Sequence, residues 1–275
     1  MSTMKINKAT FVFLFAFPVY AQAQEAATLS YNQGIANCEN KWSGFKDRDG
    51  KTQLGYVYVD PSAGFTFELY GKLESTEGHI RAIKSELHGK ARVIVRIEHN
   101  FPAMCLSESQ VAELGLPLTP EWMKFYKDDR PLPEHHTRWA YHANHIGANE
   151  LALAHIAKVV AAGAASPSLI FENAFALNAL RRFDETIALL APAIASNGAS
   201  SDLIAELAFA HLAKGDFQTA IVFYKRAIDH DKPSVRRSQF ANNTAYAYGK
   251  LGDHEQSDHW AAVAVKYKEE NPDLP

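Results

Sequence analysis

Twelve histidines and two cysteines are the residues of this 275-residue chain best suited to chemistry. His135, His136, His142 and His145 form the densest group, and the last two are three apart, a spacing that puts both on one helix face. A catalytic zinc site would need an H-E-x-x-H pair or a carboxylate at a matching distance along the chain, and neither is present, so no metal is expected. Cys38 and Cys105 are too few for a zinc finger or an iron–sulfur centre. The chain has no G-x-S-x-G elbow, no phosphate-binding P-loop and no G-x-G-x-x-G turn. The expectation is a noncatalytic protein without a cofactor; a hydrolase whose site is assembled from distant residues is the remote alternative.

The address comes from the first residues. Lys5 and Lys8 precede the apolar run Phe11–Phe17, and Ala21-Gln22-Ala23 supplies a small-x-small cleavage site, so residues 1–23 read as a secretory signal peptide. The competing reading, a membrane anchor, suffers from the shortness of the run and from Pro18. Cleavage removes Lys5 and Lys8 and no acid, moving the formal net charge from −3 to −5. A mildly acidic protein gives no reason to expect nucleic acid or an anionic membrane as partner. No later segment is apolar enough to span a bilayer, and the bacterial periplasm is the first expectation, with full secretion the alternative. In an oxidising compartment Cys38 and Cys105 can pair and close a long loop; two unpaired buried thiols are the other possibility.

Residues 24–130 read as a small β-rich unit. Leu54–Asp60 is rich in aromatic and β-branched residues, Phe65, Phe67 and Leu69 alternate on one face of the next run, His79–Ile83 continues more weakly, and Ala91–Ile97 alternates with Val93, Val95 and Ile97 inward and Arg92 and Arg96 outward. Turn signals at Asp47–Gly50, Asp60–Gly64, Ser75–Gly78 and His88–Lys90 favour antiparallel hairpins, hence a meander of four or five strands. Asp47-x-Asp49-Gly50 has the start of a calcium loop but not its later ligands, and reads as a hairpin turn. A sheet with one apolar face needs a cover. Two short helices supply it: Ser107–Gln110 has capping-box spacing, and Thr119-Pro120 can open a second helix carrying Trp122, Met123, Phe125 and Tyr126. Asp128–Pro133, charged and proline-rich, marks the boundary with residues 134–275.

The second half keeps time. Ala140, Ala174, Ala208 and Ala245 stand at intervals of 34, 34 and 37 residues, and Val159, Ala193, Ala227, Ala264 and Ala152, Thr186, Ala220, Ser257 repeat in the same phase. Small side chains at this period let paired helices approach closely, turn after turn. With Gly215-Asp216-Phe217, Ala220, Tyr224 and Ala227 in the strongest unit, the pattern resembles the tetratricopeptide repeat; Arg181 stands where the turn glycine belongs, and three extra residues fall between Ala227 and Ala245. The fold class expected is α+β: an antiparallel β meander with two short helices, then an all-α tetratricopeptide-like solenoid of helical hairpins.

The resemblance implies a concave groove lined by the first helix of each repeat. By phase it presents Tyr141, Asn144, Phe171, Phe175, Asn178, Asp202, Ala205, Phe209, Gln239, Asn242 and Tyr246; the partner-binding set is Tyr141, Asn144, Phe171, Phe175, Asn178, Phe209, Asn242 and Tyr246. Rings bury area and amides pair with a peptide backbone, so the expected partner is a segment of another protein. Some members of the family clamp a C-terminal carboxylate with cations; here the matching positions are Thr137, Tyr141, Glu172, Asp202 and Glu206, which favours a neutral or basic segment. The function implied is an adaptor or scaffold of the bacterial envelope. The alternative is a sensor or carrier binding a small molecule or glycan on the β unit through outward-facing Tyr56, Tyr58 and Tyr70.

Overall fold

A computed structural model describes residues 29–87, 89–126, 130–195, 199–231 and 235–270. The expected leader, residues 1–23, lies outside the described residues. Seven strands form one antiparallel sheet: β1 (Gln33–Gly34), β2 (Lys41–Lys46), β3 (Thr52–Asp60), β4 (Gly64–Thr76), β5 (His79–Lys84), β6 (Ile94–Arg96) and β7 (Pro102–Cys105). Strands β3, β4 and β5 are three of the four runs expected of the meander, and β2 precedes them across the Asp47–Gly50 turn; the fourth run, β6, pairs with β4 rather than following β5. The sheet then exceeds it, because β7 returns to pair with β2 and carries β1 on its outer side. The turns are local in origin. Asp47 Oδ1 accepts the backbone N–H groups of Asp49 and Lys51 between β2 and β3. Between β4 and β5, Glu77 and Gly78 both take positive φ, 52° and 84°, the conformation of a two-residue hairpin turn whose twist suits the strands.

The run Ala91–Ile97 departs from the expected alternation. Only Ile94–Arg96 is strand, paired with the first half of β4, and Val95 is exposed while Ile97 alone is fully buried. As an edge strand it has one side open to solvent. Its arginines are not merely solvated: Arg92 makes a two-pronged contact with the Glu68 carboxylate, and Arg96 donates to Thr66 and, at 3.2 Å, to Asp60.

Both faces of the sheet are apolar. On one, Trp42, Leu54, Tyr56, Tyr58, Leu73 and Ile80 are covered by α1 (Glu108–Glu113) and by a 3-10 turn over Glu121–Tyr126. The capping box of α1 is present: Ser107 Oγ accepts from Gln110 N, and Ser107 N donates to Gln110 Oε1. The second cover winds as 3-10 rather than α-helix. Tyr56 and Tyr58 do not face outward as the glycan-binding alternative required. They are 1% and 0% exposed, because the Trp122 and Tyr126 rings lie over them, and Tyr70 is half-buried in the same cluster. On the other face Val57, Val59, Phe65 and Phe67 join Ile35, Cys38 and Ala103 in a core continuous with Trp139, Ala140, Ala143, Ile156 and Val159 of the first two helices of the second half. Cys38 and Cys105, the latter inside β7, are disulfide-bonded at a Cα–Cα distance of 5.0 Å.

The second half is a tetratricopeptide-like stack of helical hairpins: α2 (Leu132–His145) with α3 (Asn149–Ala161), α4 (Pro167–Ala179) with α5 (Phe183–Ala195), α6 (Ser201–Ala213) with α7 (Phe217–His230), and α8 (Val235–Lys250) with α9 (His254–Glu269). The first helix of each hairpin ends in the same pair of hydrogen bonds. The N–H groups of Ala148, Arg182, Asp216 and Asp253 reach back to the carbonyls of Ala143, Leu177, His211 and Tyr248; those of Gly147, Arg181, Gly215 and Gly252 reach Asn144, Asn178, Leu212 and Gly249. This is the Schellman stop, and it recurs at the 34, 34 and 37 intervals of the alanines. The turn residue is left-handed each time, at φ 76°, 61°, 83° and 80°. Glycine adopts this freely, whereas Arg181 carries the Cβ strain. The three extra residues lengthen α8 at its start: α8 has 16 residues and α6 has 13, and Ala245 stands ten residues into α8 where Ala208 stands seven into α6.

Candidate functional site

Ala140, Ala174, Ala208 and Ala245 are buried between helices, so the residue after each points about 100° away around its helix. Those residues are Tyr141, Phe175, Phe209 and Tyr246, exposed by 46%, 38%, 40% and 53%. Four large rings therefore stand in one phase on the first helices of the four hairpins, and α4 packs beside both α2 and α6 in that layer. Asn242 is exposed one turn before Tyr246, and Gln239 one turn further back. Phe171 is half-buried with its ring 6.3 Å from that of Phe175, while Ala205 is buried.

Asn144 and Asn178 are not presented to solvent as the phase argument expected; they are 6% and 5% exposed. Each is spent across the joint between hairpins. Asn144 Nδ2 donates to the Glu172 carbonyl at 2.9 Å and to Glu172 Oε2 at 2.8 Å; Asn178 Nδ2 does the same to Glu206 at 3.0 and 2.7 Å. The pair thus repeats one hairpin later. Burial pushes the Glu172 and Glu206 carboxyls above the usual carboxylate range, against the lowering effect of the asparagine amides, and Asp202 and Glu172 add to the rise at Glu206. Sequence reasoning noticed Glu172 and Glu206 only as the loss of a cationic clamp. Their spacing of 34 was the available signal.

Two cavities flank this layer. One of about 500 Å³ lies beside Tyr141 and is lined by Arg130, Glu134, Arg138 and Glu172, with the Arg138 guanidinium 5.6 Å from the Tyr141 ring. Thr137, at a clamp position, donates to the Pro133 carbonyl. The other, about 580 Å³ between α4 and α6, is lined by Phe175, Phe183, Phe209, Asn178, Arg181 and Glu206. Asp202, the remaining clamp position, is paired with Arg236.

The histidines disperse. His135 stacks on Trp139 at 4.0 Å, His136 meets His155 at 3.0 Å between Nδ1 atoms, His142 packs under the β3–β4 turn, and His145 stacks on Tyr141. No group of three His, Cys, Asp or Glu side chains among the described residues is arranged to hold a metal ion. His155, which the sequence did not single out, lies 3.6 Å from Glu39, whose other oxygen accepts the Trp139 indole N–H at 2.6 Å. Glu39 follows the bridged Cys38, so this contact ties the sheet to the first hairpin. On the covered face, a cleft of about 330 Å³ is lined by Trp42, Tyr70, Trp122, Glu68, Lys84 and Glu121.

No protein-family model matches the chain, and no curated protein matches it. Among solved structures it is similar to MamA from Desulfovibrio magneticus RS-1, at 15% identity and a TM-score of 0.45 over 59% of this chain and 86% of that one. A second MamA crystal structure gives 20% and 0.44 over 50% and 73%, and BtubC from P. vanneervenii 14% and 0.44 over 54% and 68%. These overlaps are too loose to bear on function, and the hairpin architecture stands on the repeated helix stops of this chain itself.

Proposed function

We propose that the chain is a noncatalytic adaptor or scaffold of the bacterial envelope. In this reading residues 24–130 form a platform, and residues 134–275 hold an extended segment of another protein along α2, α4, α6 and α8. The observation that carries it is the ladder of exposed rings, Tyr141, Phe175, Phe209 and Tyr246, one per hairpin and in one phase. A large exposed apolar array on a folded chain marks an interaction surface, and rings dominate the energetics of such surfaces. An exported location is supported by the disulfide and by the charge and cleavage pattern of residues 1–23; no helix among the described residues is long and apolar enough to cross a membrane.

The test is crosslinking and capture from the periplasm, beside a Phe175→Ala/Phe209→Ala/Tyr246→Ala variant. The rings are 38–53% exposed, so the variant loses part of their packing and some melting temperature but still folds, and measured below its unfolding transition its affinity for the captured partner falls about tenfold or more. Recovery of the same proteins at the same level with both chains removes the reading. The cleft at Trp42, Tyr70 and Trp122 favours a second reading, binding of a small molecule on the β unit. A partner-free chain with a saturable small-molecule ligand lost in Trp122→Ala would establish it.

A further inference from the structure

The cavity between α4 and α6 offers a ligand a carboxylate and aromatic rings. Among the described residues Glu206 is the one acidic residue that lines it, beside Asn178. The Asn178 carboxamide nitrogen is engaged by Glu206, and its carboxamide oxygen is buried with no hydrogen-bond partner among the described residues. Glu206 has no ion pair among the described residues, and the charged groups that act on it, Asp202 and Glu172, are both acidic. Phe175 and Phe209, each more than a third exposed, form the walls, and Phe183 stands edge-on to Phe209 at 6.3 Å.

We propose that this cavity takes the cationic side chain, a lysine or an arginine, of an extended partner segment lying along the helix layer. The inference rests on the groove reading above and adds the chemistry of the segment. An ammonium carries three donors and no acceptor, a guanidinium five donors and none, so either complements the Glu206 carboxylate that lines this cavity. The Phe175 and Phe209 rings that line the same cavity add apolar surface for the stem of such a side chain. A carboxyl held out of water without a counter-charge is unfavourable, and a bound cation supplies the missing charge and favours the ionised form. Arg181 lines the α4–α6 cavity from the turn that ends α4. It is exposed and competes with a ligand cation for the same carboxylate, which makes it a discriminating position.

The experiment selects binders of the full mature chain from a random peptide display library at neutral pH, then measures their affinities by fluorescence anisotropy. Enriched segments carry lysine or arginine. Glu206→Gln weakens them about tenfold or more, the scale of a lost hydrogen bond to a charged group, and Arg181→Gly tightens them. Both variants fold: glutamine keeps an acceptor for Asn178 and removes a desolvated acid, and glycine relieves a left-handed backbone, so neither lowers the melting temperature. Enrichment of neutral or acidic segments that depend on Phe175 and Phe209, and that weaken in Arg181→Gly, overturns the cation and leaves the groove reading standing. A library yielding no segment sensitive to Phe175→Ala/Phe209→Ala overturns both.

Discussion

Converting Cys38 and Cys105 to alanine together, or reducing their bridge, lowers the stability of the folded chain by about 4 kcal/mol. The bridge joins residues 67 apart in sequence, and the loop it closes contains β2 through β6 and most of β7. In the chain-entropy treatment a loop of that length is among the more rewarding to close, because the unfolded chain loses more freedom than it would with a short one. The location adds to this. Cys38 ends the short 3-10 turn Ile35–Cys38 and Cys105 lies in β7, so the bridge seals the seam where a strand distant in sequence returns to pair with β2. Glu39, the next residue, accepts from Trp139, and the first hairpin therefore loosens with the seam. Urea unfolding with and without reductant checks the figure. A midpoint that moves by less than the equivalent of about 1 kcal/mol would show that the native contacts alone hold the seam.

Acidification from pH 6.5 to about 4 removes a further 3 kcal/mol or so through His142. This side chain is 6% exposed and sits under the β3–β4 turn, where a Cβ on Gly64 would come within 2.9 Å of its Nδ1. Gly64 is also left-handed, at φ 84°, so no other residue suits both the turn and the ring beneath it. Burial lowers the His142 pKa from 6.5 to about 4, with Arg138, His145 and Arg130 pushing the same way against a hydrogen bond to the Pro61 carbonyl. A histidine whose pKa falls on folding is one the fold keeps neutral. Its contribution is complete above the unfolded value of 6.5 and is lost as pH drops toward 4. His136, lowered by burial and by His155, acts in the same direction. Glu172 and Glu206 oppose it, since their raised values mean that the fold prefers them protonated. The His142 share is isolated by comparing melting temperature against pH for the wild type and for His142→Gln. The variant's curve is flatter over that interval; two parallel curves would remove the assignment.

What the sequence made legible was local or periodic. The hairpins of β2–β5 were readable because Asp47, Gly64 and Gly78 make their turns from neighbouring atoms. The solenoid was readable because its small residues recur in phase, and the same phase located the four exposed rings. What was missed depends on partners far along the chain. In β3, Leu54, Tyr56 and Tyr58 alternate with Val57 and Val59, so both faces are apolar, a pattern that asks for two covers rather than one. The second cover is Trp139 and Ala140, some eighty residues on. Nothing near Asn144 or Asn178 reveals that their partners are Glu172 and Glu206, 28 residues later, and burial of those amides followed from that pairing.

The core shared by the sheet and the first hairpin gives the stack a polarity. Quasi-one-dimensional arrays open from whichever end is worst protected. Here α2 is clamped between β-structure and α4, while α9, the last helix among the described residues, has Ala264 as its one fully buried residue and Val265 bare to solvent. The array is therefore a spring fixed at one end. Thermal opening starts at α9 and runs back toward the sheet, and amide exchange measured on the native chain reads it as protection that declines hairpin by hairpin from α2 to α9.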